Sequence, residues 1–185
     1  LDEILEKSNA VLEAWLPGSE GAEAVCDVLM GRCDPSGHLA ISFPRAVGQV
    51  PVFYAHKRSG GRSHWKGDYV DGSTKPLFPF GFGLSYTTFA YSDFEIESEE
   101  VTTTGSFKAS ICVQNTGNMP GDAVVQLYCA DPVASVTRPV KELKGFARVH
   151  LECGQKVRVQ FEVAASQMAF VDRGMRFVVE PGEIQ

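Results

Sequence analysis

The chain has 185 residues, enough for one domain, or for one small domain with part of another, around a sizeable core. With 44% hydrophobic and 22% charged residues it has the composition of an ordinary globular protein, and its net charge of -6 argues against nucleic acid or an anionic membrane surface as partner, since both require clustered Lys and Arg. Its apolar runs fall well short of the ~20 residues of a membrane span. The start at Leu1 lacks both an initiating Met and a signal-like apolar region, so the sequence reads as the inside of a longer chain.

Residues 1–45 carry an α/β pattern. Ala10 to Trp15 is an apolar run expected as a short buried strand, and Ser19 is placed to cap a helix from about Glu20 to Met30. Ala22, Val25, Cys26 and Leu29 recur at helical spacing, and Gly31 is placed to stop the helix. Asp34-Pro35-Ser36-Gly37 reads as a turn, after which Leu39, Ile41 and Phe43 alternate until Pro44. A strand-helix-strand piece of this size cannot cover both faces of its own sheet. The rest of its α/β domain is therefore expected outside the chain.

Residues 46–84 mix glycine, proline, aromatic and charged residues without a sustained period, as in a linker wrapped on a surface. The run from Pro76 to Leu84 is expected to be irregular but pinned by buried rings, with Ser85 to Phe89 opening a strand. From Tyr86 onward the period is two. Phe107, Ala109, Ile111 and Val113 alternate with Lys108, Ser110 and Cys112; Val125, Leu127 and Cys129 follow; Val157, Val159, Phe161 and Val163 alternate with Lys156, Arg158, Gln160 and Glu162. Several short strands parted by turn signals over ~100 residues predict an immunoglobulin/fibronectin III-like β-sandwich in residues 85–185, with Phe107, Ile111, Val125, Leu127, Val159 and Phe161 in one core. The end, Glu183-Ile184-Gln185, reads as the opening of a last strand cut short. The fold class is thus mainly β, a sandwich preceded by an α/β fragment and a long linker.

Five cysteines at 26, 33, 112, 129 and 153 form no C-x-x-C pair and are expected as free thiols. The histidines at 38, 56, 64 and 150 show no ligand spacing, and no phosphate-cradling glycine loop or nucleophile elbow is present. No metal or other cofactor is expected.

Five stretches together resemble the C-terminal part of the family 3 glycoside hydrolases, the β-glucosidase-like enzymes. Pro79-Phe80-Gly81-Phe82-Gly83-Leu84-Ser85-Tyr86-Thr87-Thr88-Phe89 is similar to that family's PFGxGLSYTxF seam. Trp15 to Ala24 and Asp34 to Pro44 resemble its WxPGxEGGxA and NPSGxLPxTFP segments, with Ala22 and Asp34 as conservative departures. Val124 to Tyr128 and Arg138 to Phe146 resemble VVQLY and RPxKELKGF.

The resemblance implies a parent enzyme that releases terminal β-linked glucose or xylose by a retaining mechanism, using an Asp nucleophile on an N-terminal barrel and a Glu acid/base. Such a mechanism needs two carboxyls about 5 to 5.5 Å apart. Both would lie before Leu1, so this segment is expected to contain no catalytic residue, and its partners would be the barrel and the remainder of the α/β domain. A secreted or periplasmic location is favoured over a cytoplasmic one. Two stretches only imitate catalytic motifs. Ser92-Asp93-Phe94 falls in an opening strand, where Asp93 is a solvated edge residue, and Glu20 at a helix start is explained by the dipole and free amides there.

Arg58 to Tyr69 offers Arg62 and Trp65 as substrate-binding candidates, because sugars are held by flat aromatics and charged groups bonding hydroxyls; the alternative is that Trp65 and Tyr69 brace the linker. A rival reading of the whole chain is a non-catalytic carbohydrate-binding or adhesive module.

Overall fold

The structure, a computed structural model, describes residues 2–57 and 72–185. Two short helices, α1 (Asp2–Lys7) and α2 (Gly21–Leu29), and a 3-10 turn at Val47–Gln49 precede the strands β1 (Phe89–Ile96), β2 (Ser106–Asn115), β3 (Gly121–Cys129), β4 (Glu142–Leu151) and β5 (Lys156–Ala164). A second 3-10 turn, Ala165–Met168, leads into the small hairpin β6 (Phe170–Val171) and β7 (Phe177–Val178). β1, β2 and β5 form one antiparallel sheet, and β3 pairs with β4 in another.

The alternation along β5 sets its register. Val159 and Val163 are buried while Lys156, Arg158, Gln160 and Glu162 are exposed, and Ile111 faces Val159 across the ladder. Between the sheets Val113, Ala123, Val125, Leu151 and Val159 form a buried cluster, against which Phe89, Ile111, Ala147, Val149, Val157 and Phe161 pack. Phe107 and Leu127, expected in the same core, are half-buried and do not join it. Phe107 stands near the start of β2 opposite Val163, and Leu127 lines an open cleft on the flank of β3.

All five cysteines are free, but Cys112, expected on the wet face, is buried. It lies between Ser92 of β1 and Arg158 of β5, beneath ion pairs joining Lys156 to Asp93 at 2.8 Å and Arg158 to Glu95 at 2.8 Å.

The N-terminal segment departs from its pattern in three places. Residues 10–15 form no strand, and Val11, Leu12 and Trp15 are exposed, because no strand among the described residues lies alongside to complete a ladder. Ser19 caps nothing: Glu20 occupies the N-cap position of α2, without a side-chain cap bond. On α2 Ala22, Cys26 and Leu29 are exposed and Val25 is half-buried, so most of its apolar face has no cover among the described residues. Gly31 does end the helix, in the left-handed region at φ +69°.

Residues 39–43 find their partner in the aromatic run. Leu39 N–H donates to Phe82 O, Gly81 N–H to Leu39 O, Phe43 N–H to Phe78 O and Leu77 N–H to Phe43 O, each at 2.8 Å. The irregular stretch is thus zipped to the N-terminal segment on one side while it leads into β1 on the other.

Candidate functional site

Two sets of contacts tie the N-terminal segment and the linker to the sandwich, and a third knits the sandwich itself. The first centres on Asp34, which is an acceptor rather than a turn residue. Its Oδ1 accepts the Tyr86 N–H at 2.7 Å, and its two oxygens take the Ser85 hydroxyl at 2.8 and 2.9 Å. Tyr86 donates its own hydroxyl to Val28 O at the end of α2, at 2.9 Å. One residue further, Thr87 Oγ1 donates to Asn115 Oδ1 at 2.8 Å. Asn115 is fully buried: Oδ1 also accepts Gly117 N–H, and Nδ2 donates to Met119 O and Leu151 O at 2.9 and 3.0 Å. Every polar atom of that amide is satisfied, as burial requires. Residues 85–87 therefore tie α2 to the interior of the sandwich.

The second set holds the two ends of the segment that contains Arg62 and Trp65. On the near side the Tyr54 ring stacks on Phe80 at 4.2 Å and meets Tyr128 edge-on at 6.0 Å, and its hydroxyl accepts Leu143 N–H at 3.3 Å. Val140 N–H donates to His56 O at 2.9 Å, beside a bridge between Lys57 and Pro139. Gln126 Nε2 donates to Gly81 O at 3.1 Å; Gly81 has φ +79°, and a Cβ there would strike Gln126 Oε1 and Tyr128 Oη, so only glycine fits. Burial, and next the Tyr54 neighbour, push the Tyr128 phenol up from its ordinary value.

On the far side the buried Gln49 amide donates to Ser73 O at 3.2 Å and Lys75 O at 3.1 Å and accepts Arg45 N–H at 2.7 Å. Arg62 and Trp65 themselves lie outside the described residues.

The third set is ionic. Glu142 and Lys144 are half-buried in a cluster with Arg138. Arg138 pairs with Glu142 at 2.8 Å and Asp131 at 3.6 Å, donates to Met168 O at 3.3 Å, and lies over the Phe170 ring at 4.6 Å. Lys144 donates to Gln167 O at 2.7 Å. The cluster fastens the start of β4 to the second 3-10 turn and to β6. Lys141 remains exposed, its ammonium 4.5 Å from the centre of the Tyr128 ring.

Neither imitation of a catalytic carboxylate is poised for chemistry. Asp93 sits on a bulge of β1 at φ +54°, exposed, with its carboxyl held below the usual range first by the Lys156 hydrogen bond and then by Ser92. Glu20 is exposed at the start of α2. Among the described residues no three His, Cys, Asp or Glu side chains are grouped to hold a metal. His38 bonds Ser36 O, His56 bonds Lys57 O, and His150 bonds Asp122; His64 lies outside the described residues. No helix among the described residues is long and apolar enough to cross a membrane.

Sequence reasoning missed Asp34, Gln49, Tyr54 and Arg138 as joints. Their only signal was the dense Gly, Pro and aromatic run, which marks a place where pinning is needed but does not name the pins.

Comparison with known proteins places these joints. The Glycosyl hydrolase family 3 C-terminal domain matches residues 1–86, and the Fibronectin type III-like domain matches residues 123–185. A periplasmic β-glucosidase of Salmonella typhimurium is 42% identical over 184 residues, which are 96% of this chain and 24% of the relative. A β-xylosidase of Formosa agariphila is 42% identical over 97% of this chain and 25% of its own length. A β-glucosidase from Listeria innocua, solved in complex with glucose, superposes with a TM-score of 0.90 at 36% identity, over 98% of this chain and 26% of that one. The chain spans about a quarter of the length of the relatives it matches.

Proposed function

Because the chain belongs to glycoside hydrolase family 3, of which it carries the C-terminal domain and the fibronectin type III-like domain, we propose that it serves an enzyme releasing terminal β-linked glucose or xylose with a retaining two-carboxylate mechanism. Its own part is structural. The division we propose is residues 1–45 as the closing piece of an α/β domain, 46–84 as a linker, and 85–185 as the sandwich. The nucleophile and the acid/base belong to the barrel and the rest of the α/β domain, which are the chain's proposed partners.

One observation carries this reading: α2 is tied through Tyr86, Asp34 and Thr87 to the buried Asn115, while the outward face of the same segment leaves Leu16 at 97% and Leu29 and Met30 at 66% and 69% exposure. A segment anchored so firmly on one side and so apolar on the other is built to be covered. The names of the relatives support the sugar class, and the periplasmic relative supports an exported enzyme. Arg62 and Trp65 are proposed to touch a β-linked oligosaccharide at the outer part of the pocket. Support for this is chemical, from the guanidinium and the indole, together with the clamps at Tyr54 and Gln49 that hold the two ends of their segment.

Assay of the purified chain against nitrophenyl glucoside and xyloside tests the structural role. No turnover is expected. Turnover that follows the pure chain and disappears in Asp93→Asn or Glu20→Gln would overturn it.

A further inference from the structure

The loop of residues 131–138, between β3 and β4, is drawn together at its ends by Asp131 and Arg138 and borders a hollow of about 370 Å³, a volume within the range of small-molecule sites. Both end side chains are only 10% exposed, and the 3.6 Å between Arg138 Nε and Asp131 Oδ2 is too long for a hydrogen bond. Arg138 Nε is therefore buried without a hydrogen-bond partner. Asp131 is left in the same state: its carboxylate can only accept, and no donor among the described residues bonds it. A carboxylate so far buried is costly without a donor. It lines the hollow together with Arg173, an exposed guanidinium that has no partner among the described residues.

The charges around the hollow select what can enter it. An anion would meet Asp131, and a metal cation would meet Arg138 and Arg173. A hydroxyl suits both sides, because it donates to a carboxylate and accepts from a guanidinium. We propose that the hollow binds a saccharide through two adjacent hydroxyls, one donating to Asp131 and its neighbour accepting from Arg173. Ser135 and Thr137 line the same space, and Val133, 81% exposed, offers an apolar edge to the C–H side of a sugar ring. The frame is fixed in advance: Ser135 N–H donates to Glu180 Oε2 at 2.8 Å, and Arg138 is clamped by Glu142 at 2.8 Å and by Met168 O at 3.3 Å, so binding has little ordering to do. The inference stands on these side chains and is independent of the catalytic role proposed above.

NMR titration of the 185-residue chain with cellobiose tests it. The Val133, Ser135 and Thr137 amides should shift saturably, with a Kd of about 1 to 10 mM, as a few hydrogen bonds on an open site would give. Arg173→Gln, at an exposed side chain without a partner, should weaken binding about threefold or more at an unchanged melting temperature. Asp131→Asn, which keeps the shape but loses the charge, should weaken it about tenfold or more; if that variant does not fold, Arg173→Gln decides alone. Glycerol has adjacent hydroxyls but no ring, and should bind at least about tenfold more weakly than cellobiose. The proposal is overturned if cellobiose moves none of these amides up to about 100 mM, if its affinity is unchanged in Arg173→Gln, or if glycerol binds as well. Saturation of the same amides by sodium sulfate or calcium chloride in place of cellobiose would make the hollow an ion site and overturn it too.

Discussion

Asp34 and Ser85, 51 residues apart in sequence, share two hydrogen bonds of 2.8 and 2.9 Å, and the same carboxylate takes the next backbone N–H, from Tyr86, at 2.7 Å. A motif that reads locally as a turn is thus the acceptor that closes the seam.

Asp34→Ala leaves the Tyr86 N–H and the Ser85 hydroxyl without their partner and is expected to cost about 1 to 3 kcal/mol in denaturant unfolding. Asp34→Asn retains one oxygen for Tyr86 N–H and should lose less. Ser19→Ala, at a position that caps nothing, should match the parent chain. If all three variants share one midpoint, the seam contributes nothing to stability.

Core register is checked by Leu151→Ala and Phe161→Ala against Arg158→Ala. Leu151 is fully buried and Phe161 packs on the same cluster, so each truncation should cost roughly 2 to 5 kcal/mol. Arg158 is exposed on the other face of β5, and its pair with Glu95 lies in solvent, so its loss should cost under about 1 kcal/mol. Similar midpoints for Phe161→Ala and Arg158→Ala would contradict the alternation.

Asp122 and His150 titrate against each other at 2.6 Å on the open face of β3 and β4. The hydrogen bond from His150 holds the Asp122 carboxyl low, and the same bond raises the His150 imidazole. A raised histidine stabilises the fold below its unfolded value, about 6.5, and that gain fades as pH climbs through the folded value. A lowered aspartate stabilises above its unfolded value, about 3.9, and that gain fades as pH falls through the folded one. The melting-temperature gap between the parent chain and His150→Gln should therefore be widest near pH 5 to 6 and close toward both ends. In NMR titration His150 should move back toward the ordinary value in Asp122→Asn. A gap that does not vary with pH would show that the pair is not coupled.

On the proposed role of Trp65, a ring beyond the cleaved bond that holds the leaving group, Trp65→Ala in the full-length enzyme should raise KM for a disaccharide or oligosaccharide more than for nitrophenyl glucoside, with the melting temperature nearly unchanged. A lowered melting temperature with both substrates affected alike would make the ring a brace.

The sandwich was legible where one face is wet: Val157 to Val163 alternate with charges, and that alternation is a statement about a single buried side. Residues 10–15 and 39–43 carried equally clear apolar patterns, yet the first forms no strand and the second pairs with residues 77–82. An apolar run gains strand geometry only from the neighbours that complete its ladder. Asp34 and Gln49 were illegible for a related reason: their partners lie some 24 to 52 residues away, and nothing in the local sequence distinguishes a polar side chain that reaches across from one that faces water.

Asn115 also imposes an order of assembly. Its amide is filled by Met119 and Leu151 as well as by Thr87, so it becomes a fixed acceptor for the seam only once β4 has been laid down. The end of β4 thus completes the socket into which Thr87, at the seam, locks. During synthesis α2 precedes β4, so its tie to the sandwich through Tyr86 and Thr87 is secured only after β4 has followed.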